Sequence, residues 1–171
     1  MGQRFEAEQW IAAPRTRVFA FFADPRNLTR IMPPKQAATL IRLNLVSPRL
    51  SDGRLPANGE YMAGAGTEIV FKFRPVPYLP MHERWSAIIT EFSLNEHFTD
   101  IQKQGPFRRW QHTHSFDAKT VGGSEGTLIR DLVEYEVGFG VIGTMLEKLL
   151  FQRMLRKTFE YRQKTLAAIF R

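Results

Sequence analysis

The chain has 171 residues, the length of one ordinary domain, and its 43% hydrophobic content excludes disordered and collagen-like proteins. It contains 24 Lys and Arg against 17 Asp and Glu, which gives a formal net charge of +7 and raises the question of a nucleic acid or an anionic membrane as partner. It has no cysteine, which excludes disulfide frameworks, thiolate zinc sites and cysteine nucleophiles.

The N-terminal part of the chain predicts one strand followed by two short helices. Residues 5–11 alternate weakly between polar and apolar side chains, which predicts the strand. Apolar residues at helical spacing over 18–22 predict a first helix that ends before Asp24. The Asp24 carboxylate is expected to cap a second helix, which must be short because Pro33 and Pro34 follow.

From residue 37 onward the hydrophobic period changes to two, which is typical of strands. Six further strands are predicted, at 37–46, 67–74, 83–92, 97–104, 108–117 and 127–137. Their connections are too short for parallel crossovers, so the sheet should be antiparallel. Between the first two of them lies a loop rich in glycine and proline at 47–66, and a loop of that length often covers a site. Its glycines, with those of a turn at 138–143, are expected to gate access.

The C-terminal segment predicts one long amphipathic helix at 142–170, with apolar residues three and four apart. A helix of this length can cover the concave face of a curved seven-stranded sheet, so we predict a single α+β domain spanning residues 1–171. Residues 142–171 hold seven basic and two acidic side chains, five of the seven net charges. We interpret this charge as the solvated face of one helix and expect no nucleic-acid partner.

Two glycine motifs do not support a cofactor or a hydrolase. Gly138, Gly140 and Gly143 match a dinucleotide fingerprint, but no second parallel strand follows them. The G-x-S-x-G pattern at 122–126 has strands on both sides, and no histidine follows residue 114. We therefore expect a turn and a hairpin loop at these places, and no cofactor.

His112 and His114 are the most chemically specific feature of the sequence. A spacing of two on a strand puts both imidazoles on the face that also carries Trp110 and Phe116, and this aromatic face should point inward. With His97 or Asp100 as a third ligand, the pair could bind zinc. We favour hydrogen-bonded histidines without a metal, because the spacing alone supplies neither the geometry nor a second shell.

Two carboxylates are candidate partners of His112. If residues 105–107 form a three-residue loop, Asp100 lies opposite His112, whereas a two- or four-residue loop turns Asp100 outward. Asp131 shares the inner face of the next strand and is the other candidate. An Asp–His contact would raise the histidine pKa and lower the aspartate pKa. It could act as a general acid/base, anchor a ligand or link strands, and we favour ligand anchoring.

The order of elements and three segments resemble a known superfamily. The segments are FFADPRNL at 21–28, GPFRRWQHTHSF at 105–116 and GTLIRDLVEY at 126–135. They resemble the START/Bet v 1-like (SRPBCC) superfamily and, within it, the bacterial polyketide cyclase/dehydrase-like subgroup. The resemblance covers essentially the whole chain and implies a helix-grip fold around a deep apolar cavity. One departure is Gly138-Phe139-Gly140, where relatives tend to have proline.

We therefore expect a cytoplasmic protein that binds a lipid, a polyketide or an aromatic molecule between the sheet and the C-terminal helix, rather than an enzyme. One alternative is a cyclase or dehydratase in which His112 acts with Asp100 or Asp131 as acid/base. The other is a membrane-surface or protein-interaction module, in which the basic helix makes a weak contact with an anionic surface but no integral membrane contact. The residues expected to line the cavity are Phe71, Phe73, Trp85, Asp100, Gln102, Trp110, His112, His114, Asp131, Tyr135, Met145 and Leu149.

Overall fold

A computed structural model describes residues 2–74, 82–137 and 145–171. These residues form seven strands and three α-helices: β1 (Gln3–Ile11), α1 (Arg15–Ala23), α2 (Leu28–Ile31), β2 (Thr39–Asn44), β3 (Glu68–Phe73), β4 (Glu83–Ser93), β5 (His97–Gln104), β6 (Phe107–Val121), β7 (Ser124–Val137) and α3 (Met145–Ile169). The predicted turn at 138–143 and the predicted start of the last helix lie outside the described residues.

The strands form one antiparallel sheet in the order β1-β7-β6-β5-β4-β3-β2. This confirms the predicted seven-stranded antiparallel sheet with its long C-terminal helix. Strands β6 and β7 are longer than predicted, because the hairpin between them has only Gly122 and Gly123 as its turn. Both glycines have positive φ, at 58° and 80°, as a type I′ turn requires.

Gly122 provides a direct test of this turn. A Cβ at this position would meet no atom within 4 Å, so only the backbone conformation opposes a side chain. We expect Gly122→Ala to lower the free energy of unfolding by about 1 kcal/mol, since left-handed backbone is unfavourable for alanine. Gly122→Asn should lower the free energy of unfolding by less, because asparagine tolerates the left-handed conformation better than alanine does. Urea unfolding of both variants checks this, and an equal loss in the two would contradict it.

The segment between β1 and β3 follows the predicted stops and caps. The Asp24 carboxylate accepts a hydrogen bond from the Arg26 backbone N–H at 3.1 Å, and a 3-10 turn at Pro25–Asn27 continues into α2. The predicted cap is therefore confirmed. The loop after β2 is held at its base by buried Thr67, whose hydroxyl accepts from the Val46 N–H and donates to the Val46 carbonyl. The predicted gating role of this loop stays a prediction.

Helix α3 packs along the inner face of the sheet and contacts two apolar clusters. Leu166 near its C-terminal end, and Phe170 directly after it, belong to the larger cluster, which also contains Val18, Phe19 and Ala23 of α1. Further toward its N-terminus, Leu155 and Phe159 pack with Val133 and Tyr135 of β7. In the part of the chain that the structure describes, every helix is too short or too polar to span a lipid bilayer. Between the two clusters, Arg162 of α3 lies close to Asp131 of β7.

Candidate functional site

The histidines of β6 lie between two carboxylates of the neighbouring strands. Asp100 of β5 is directly opposite His112, so of the two registers left open the one with Asp100 inward is found. The three-residue loop that was to produce it is not, because Phe107 begins β6, and the pairing of β5 with β6 ends at Ile101 and Gln111, before the turn. On the other side, Asp131 of β7 is directly opposite His114. Because residues two apart share a face, all four side chains point to the side of the sheet that carries α3.

Asp131 is the hydrogen-bond partner of His112. Its Oδ1 lies 3.0 Å from His112 Nε2, whereas Asp100 Oδ2 is 4.0 Å from Nδ1 of the same ring. The His114 Nδ1 atom comes within 2.6 Å of Asp131 Oδ1, but it forms no hydrogen bond of acceptable geometry within the described structure. One carboxylate oxygen therefore contacts both imidazoles, and the second carboxylate faces His112 from the opposite side.

Arg162 of α3 completes this polar cluster, and the sequence analysis placed it wrongly. We expected all the basic side chains of the helix on its solvated face, but Arg162 is only 7% exposed. Its Nη1 lies 3.9 Å from Asp131 Oδ1, and its guanidinium lies over the Phe22 and Phe159 rings at 4.9 and 5.4 Å. The spacing held a signal for this, since residue 162 is three after Phe159 and four before Leu166, within the apolar stripe.

Burial and neighbouring charges shift the pKa values of the two carboxyl groups in opposite directions. Burial raises the pKa of Asp100. It also acts to raise the pKa of Asp131, but the Arg162 guanidinium, followed by His114, outweighs burial and holds that pKa well below its usual range. The predicted direction for a histidine-bound aspartate is thus confirmed for Asp131. Burial lowers the pKa of His114 to about 3, so its imidazole is neutral at ordinary pH.

Half-buried aromatic rings cover the inner face beside the polar cluster. We call this set the aromatic wall: Phe73, Trp85, Phe107, Trp110 and Phe151. The Trp85 and Trp110 centroids are 4.7 Å apart, and Phe107 lies 5.0 Å from Trp110 and 4.9 Å from Phe151. Trp85 belongs to this wall and therefore lies on the side of the sheet that faces α3. The sequence had not decided which face of its strand Trp85 occupies.

The remaining residues expected to line a cavity lie in varied surroundings. Phe71 is buried in the larger apolar cluster, and the Gln102 side chain donates to the Phe107 carbonyl at 2.8 Å. Tyr135 is buried, and its hydroxyl makes no hydrogen bond within the described part of the chain, although the Gln152 side chain lies near it. Leu149 is 57% exposed, and the Met145 side chain lies outside what the structure describes.

A groove of about 390 Å³ lies between β1 and α3. Phe159 forms part of it and also approaches the His112 ring, at 5.9 Å between centroids. None of the residues expected to line a cavity borders this groove, so their role in ligand binding stays a prediction. Its lining residues are Arg4, Phe5, Glu6, Ala7, Gln152, Arg156, Phe159, Glu160 and Gln163.

Three side chains of the cluster could hold a metal ion. Asp100, His112 and His114 each offer one ligand atom, and these atoms lie within 4.8 Å of one another. Of the two third ligands that the sequence suggested, the described structure brings Asp100 rather than His97 to the histidine pair. His97 lies at the start of β5, opposite Ser115.

Residues 11–160 match the family model described as polyketide cyclase/dehydrase and lipid transport. The sequence matches no curated protein. Among solved structures, protein TTHA0849 from Thermus thermophilus is 22% identical, with a TM-score of 0.62 over 97% of this chain and 95% of that chain. A START superfamily protein from Mycobacterium smegmatis is 14% identical, with a TM-score of 0.63 over 98% and 96%. Protein CV1439 from Chromobacterium violaceum is 13% identical, with a TM-score of 0.65 over 98% and 96%. These likenesses confirm the predicted helix-grip fold.

Proposed function

Because the chain belongs to the polyketide cyclase/dehydrase and lipid transport family of the START/Bet v 1-like superfamily, we propose that it binds a hydrophobic or amphipathic small molecule between its sheet and α3. The apolar body of the ligand lies against the aromatic wall, and its polar end meets the polar cluster around Arg162. The family match supports the class of ligand, and the side chains of this chain support its orientation.

The aromatic wall supports the apolar part of this proposal. Its four sheet residues are only half-buried although they lie on the face of the sheet that α3 covers, and Phe151 of α3, which packs on Phe107, is half-buried too. Ligand pockets are typically lined by such apolar and aromatic side chains, with a few polar groups that set orientation. A flat or linear apolar molecule that covers these rings would remove further apolar surface from water, which stabilises the complex by roughly 25 cal/mol per Å².

The observation that carries the proposed orientation is the state of the Arg162 side chain. Its Nε–H group is buried and has no hydrogen-bond partner within the described residues. A guanidinium is a donor only, and a buried donor without an acceptor is destabilising. An acceptor oxygen on the ligand, such as that of a ketone or a carboxylate, would satisfy it. The buried Tyr135 hydroxyl is a second group that could contact such an oxygen.

The three tryptophans allow the binding position to be tested with 1-anilinonaphthalene-8-sulfonate, an amphipathic aromatic probe. Trp85 and Trp110 belong to the aromatic wall, whereas the Trp10 indole donates to the Lys119 carbonyl beside the β6–β7 hairpin. We expect energy transfer from tryptophan to the bound probe to fall at least about fivefold in the variant that combines Trp85→Phe with Trp110→Phe. Trp10→Phe is the matched control and should retain most of the transfer.

Two results would overturn the proposal. One is energy transfer that depends on Trp10 instead of on Trp85 and Trp110, because the probe would then bind elsewhere. The other is a purified protein that binds no probe and carries no organic molecule when it is examined by native mass spectrometry. An extracted molecule with an apolar body and an acceptor oxygen would support both the ligand class and the orientation.

The acid/base role considered for His112 stays a prediction. The contact that it requires exists in the His112–Asp131 hydrogen bond, and a pH–rate profile on a model polyketone would test it. The interaction-module alternative likewise stays a prediction. Salt-dependent binding to vesicles that contain an anionic lipid would test it.

A further inference from the structure

We propose that Asp100, His112 and His114 form a binding site for one divalent transition metal ion of the zinc type. This inference does not depend on the proposed function, because it concerns the protein without an organic ligand. The sequence alone showed neither three ligand atoms in a suitable arrangement nor a residue that could hold a ligand in place. The fold brings three such atoms together and places Asp131 beside one of the ligands.

The spacing of the three ligand atoms suits a small cation. Since the atoms lie within 4.8 Å of one another, a point exists that is no more than about 2.8 Å from any of them. Zinc bonds to histidine nitrogen and carboxylate oxygen are about 2.0–2.2 Å long, so each side chain would move by less than about 1 Å. The ion would lie among the three side chains.

Asp131 provides the second shell for this site. A metal-bound imidazole typically donates its other N–H group to a carboxylate, which fixes its tautomer and orientation. The His112 Nε2 atom is 3.0 Å from Asp131 Oδ1, which leaves Nδ1 as the nitrogen that faces Asp100, at 4.0 Å. Hydrogen bonding to Asp131 thus presents the free nitrogen of His112 to the other carboxylate.

The charges around the site favour a dication. The described cluster holds two carboxyl side chains, Asp100 and Asp131, and one guanidinium, that of Arg162, which faces Asp131 at 3.9 Å. Metal ligands must be deprotonated, so the ion would compete with protons for these side chains.

Imidazole and carboxylate ligands without cysteine suit zinc and its first-row neighbours better than softer ions. The side chain of Asp100 is 19% exposed, the most exposed of the three, which gives an ion a route to the site. Three protein ligands also leave a fourth position open to water or to a ligand oxygen.

The test uses untagged, chelator-treated full-length protein, titrated with Zn²⁺ by calorimetry and with Co²⁺ by visible absorption. We expect one ion per chain, and visible absorption bands of the kind that Co²⁺ shows when nitrogen and oxygen ligands bind it. Asp100→Asn and His114→Gln should each weaken Zn²⁺ binding on the order of 100-fold. Asp131→Asn should weaken it by about 10-fold, as loss of a second-shell partner does.

His97→Gln is the matched control, because His97 lies on the same strand as Asp100 but outside the cluster. It should bind Zn²⁺ as tightly as the unaltered chain. The inference is wrong if the unaltered chain binds no Zn²⁺, if Asp100→Asn leaves affinity unchanged, or if His97→Gln weakens binding as much as Asp100→Asn. Should His114→Gln fail to fold, Asp100→Asn decides, because its partly exposed side chain tolerates an amide of the same shape.

Discussion

Replacing Asp131 with alanine is expected to lower the free energy of unfolding by about 3–5 kcal/mol. The substitution removes the carboxylate that forms the ion pair with the buried Arg162 guanidinium, and it removes the hydrogen-bond partner of His112. A buried charge that has lost its partner is much more costly than an exposed one, because the protein interior screens it poorly. Urea unfolding followed by far-ultraviolet circular dichroism measures the change.

Two further variants separate charge from shape at this position. Asp131→Asn keeps an acceptor oxygen near His112 but removes the charge that faces Arg162. It should therefore lower the free energy of unfolding, but by less than Asp131→Ala does. Asp117→Ala breaks an exposed ion pair with Arg130 and should change stability by less than about 1 kcal/mol. A loss of less than about 1 kcal/mol for Asp131→Ala would mean that Arg162 is solvated, contrary to the structure.

Replacing Phe19 with alanine should also destabilise the fold by about 3–5 kcal/mol, because its ring is fully buried at the centre of the larger apolar cluster. The ring meets Phe92, Phe98 and Phe116 edge to face, with centroids 5.2–6.1 Å apart. Removing it deletes these contacts and leaves a cavity. Thermal and urea unfolding would both report the loss.

Phe73 provides a matched control, because it is also a phenylalanine with an aromatic contact but is only half-buried. Phe73→Ala should therefore cost roughly half as much as Phe19→Ala, in proportion to the apolar surface removed. Phe19→Leu should recover most of the stability, because it refills most of the volume. Equal losses for the two alanine variants would contradict the central position of Phe19.

Local features of the sequence were sufficient to predict the strands, because a period of two distinguishes strands from helices. The register of β5 on β6 stayed open between two alternatives, since the length of the loop after β5 was not fixed by the sequence, and the sheet decides that Asp100 lies opposite His112. The hairpin at Gly122 and Gly123 was recognised as a turn, but the lengths of its strands were underestimated. Alternation is weak in the exposed ends of β6 and β7, where both faces are wet.

The sequence did not predict the surroundings of Arg162. We assigned this arginine to a solvated face because charged side chains on amphipathic helices usually are solvated. Its position within the apolar stripe was a signal, but no pattern along the helix tells which strand residue it meets. The groove between β1 and α3 was missed for the same reason, since it joins residues from opposite ends of the chain.

The sequence by itself determined the order and type of the elements, the shared face of His112 and His114, and the family. These depend on periodicity, turn chemistry and short segments, which act over a few residues. Only the tertiary structure decided that Asp131 contacts both histidines, that Arg162 is buried against it and that Asp100 completes a potential metal site. The contacts of Asp131 and Asp100 with the histidines depend on the registers of three neighbouring strands. The contact of Arg162 depends on the position in which α3 crosses the sheet, which results from the packing of Phe159 and Leu166 on two separate apolar clusters.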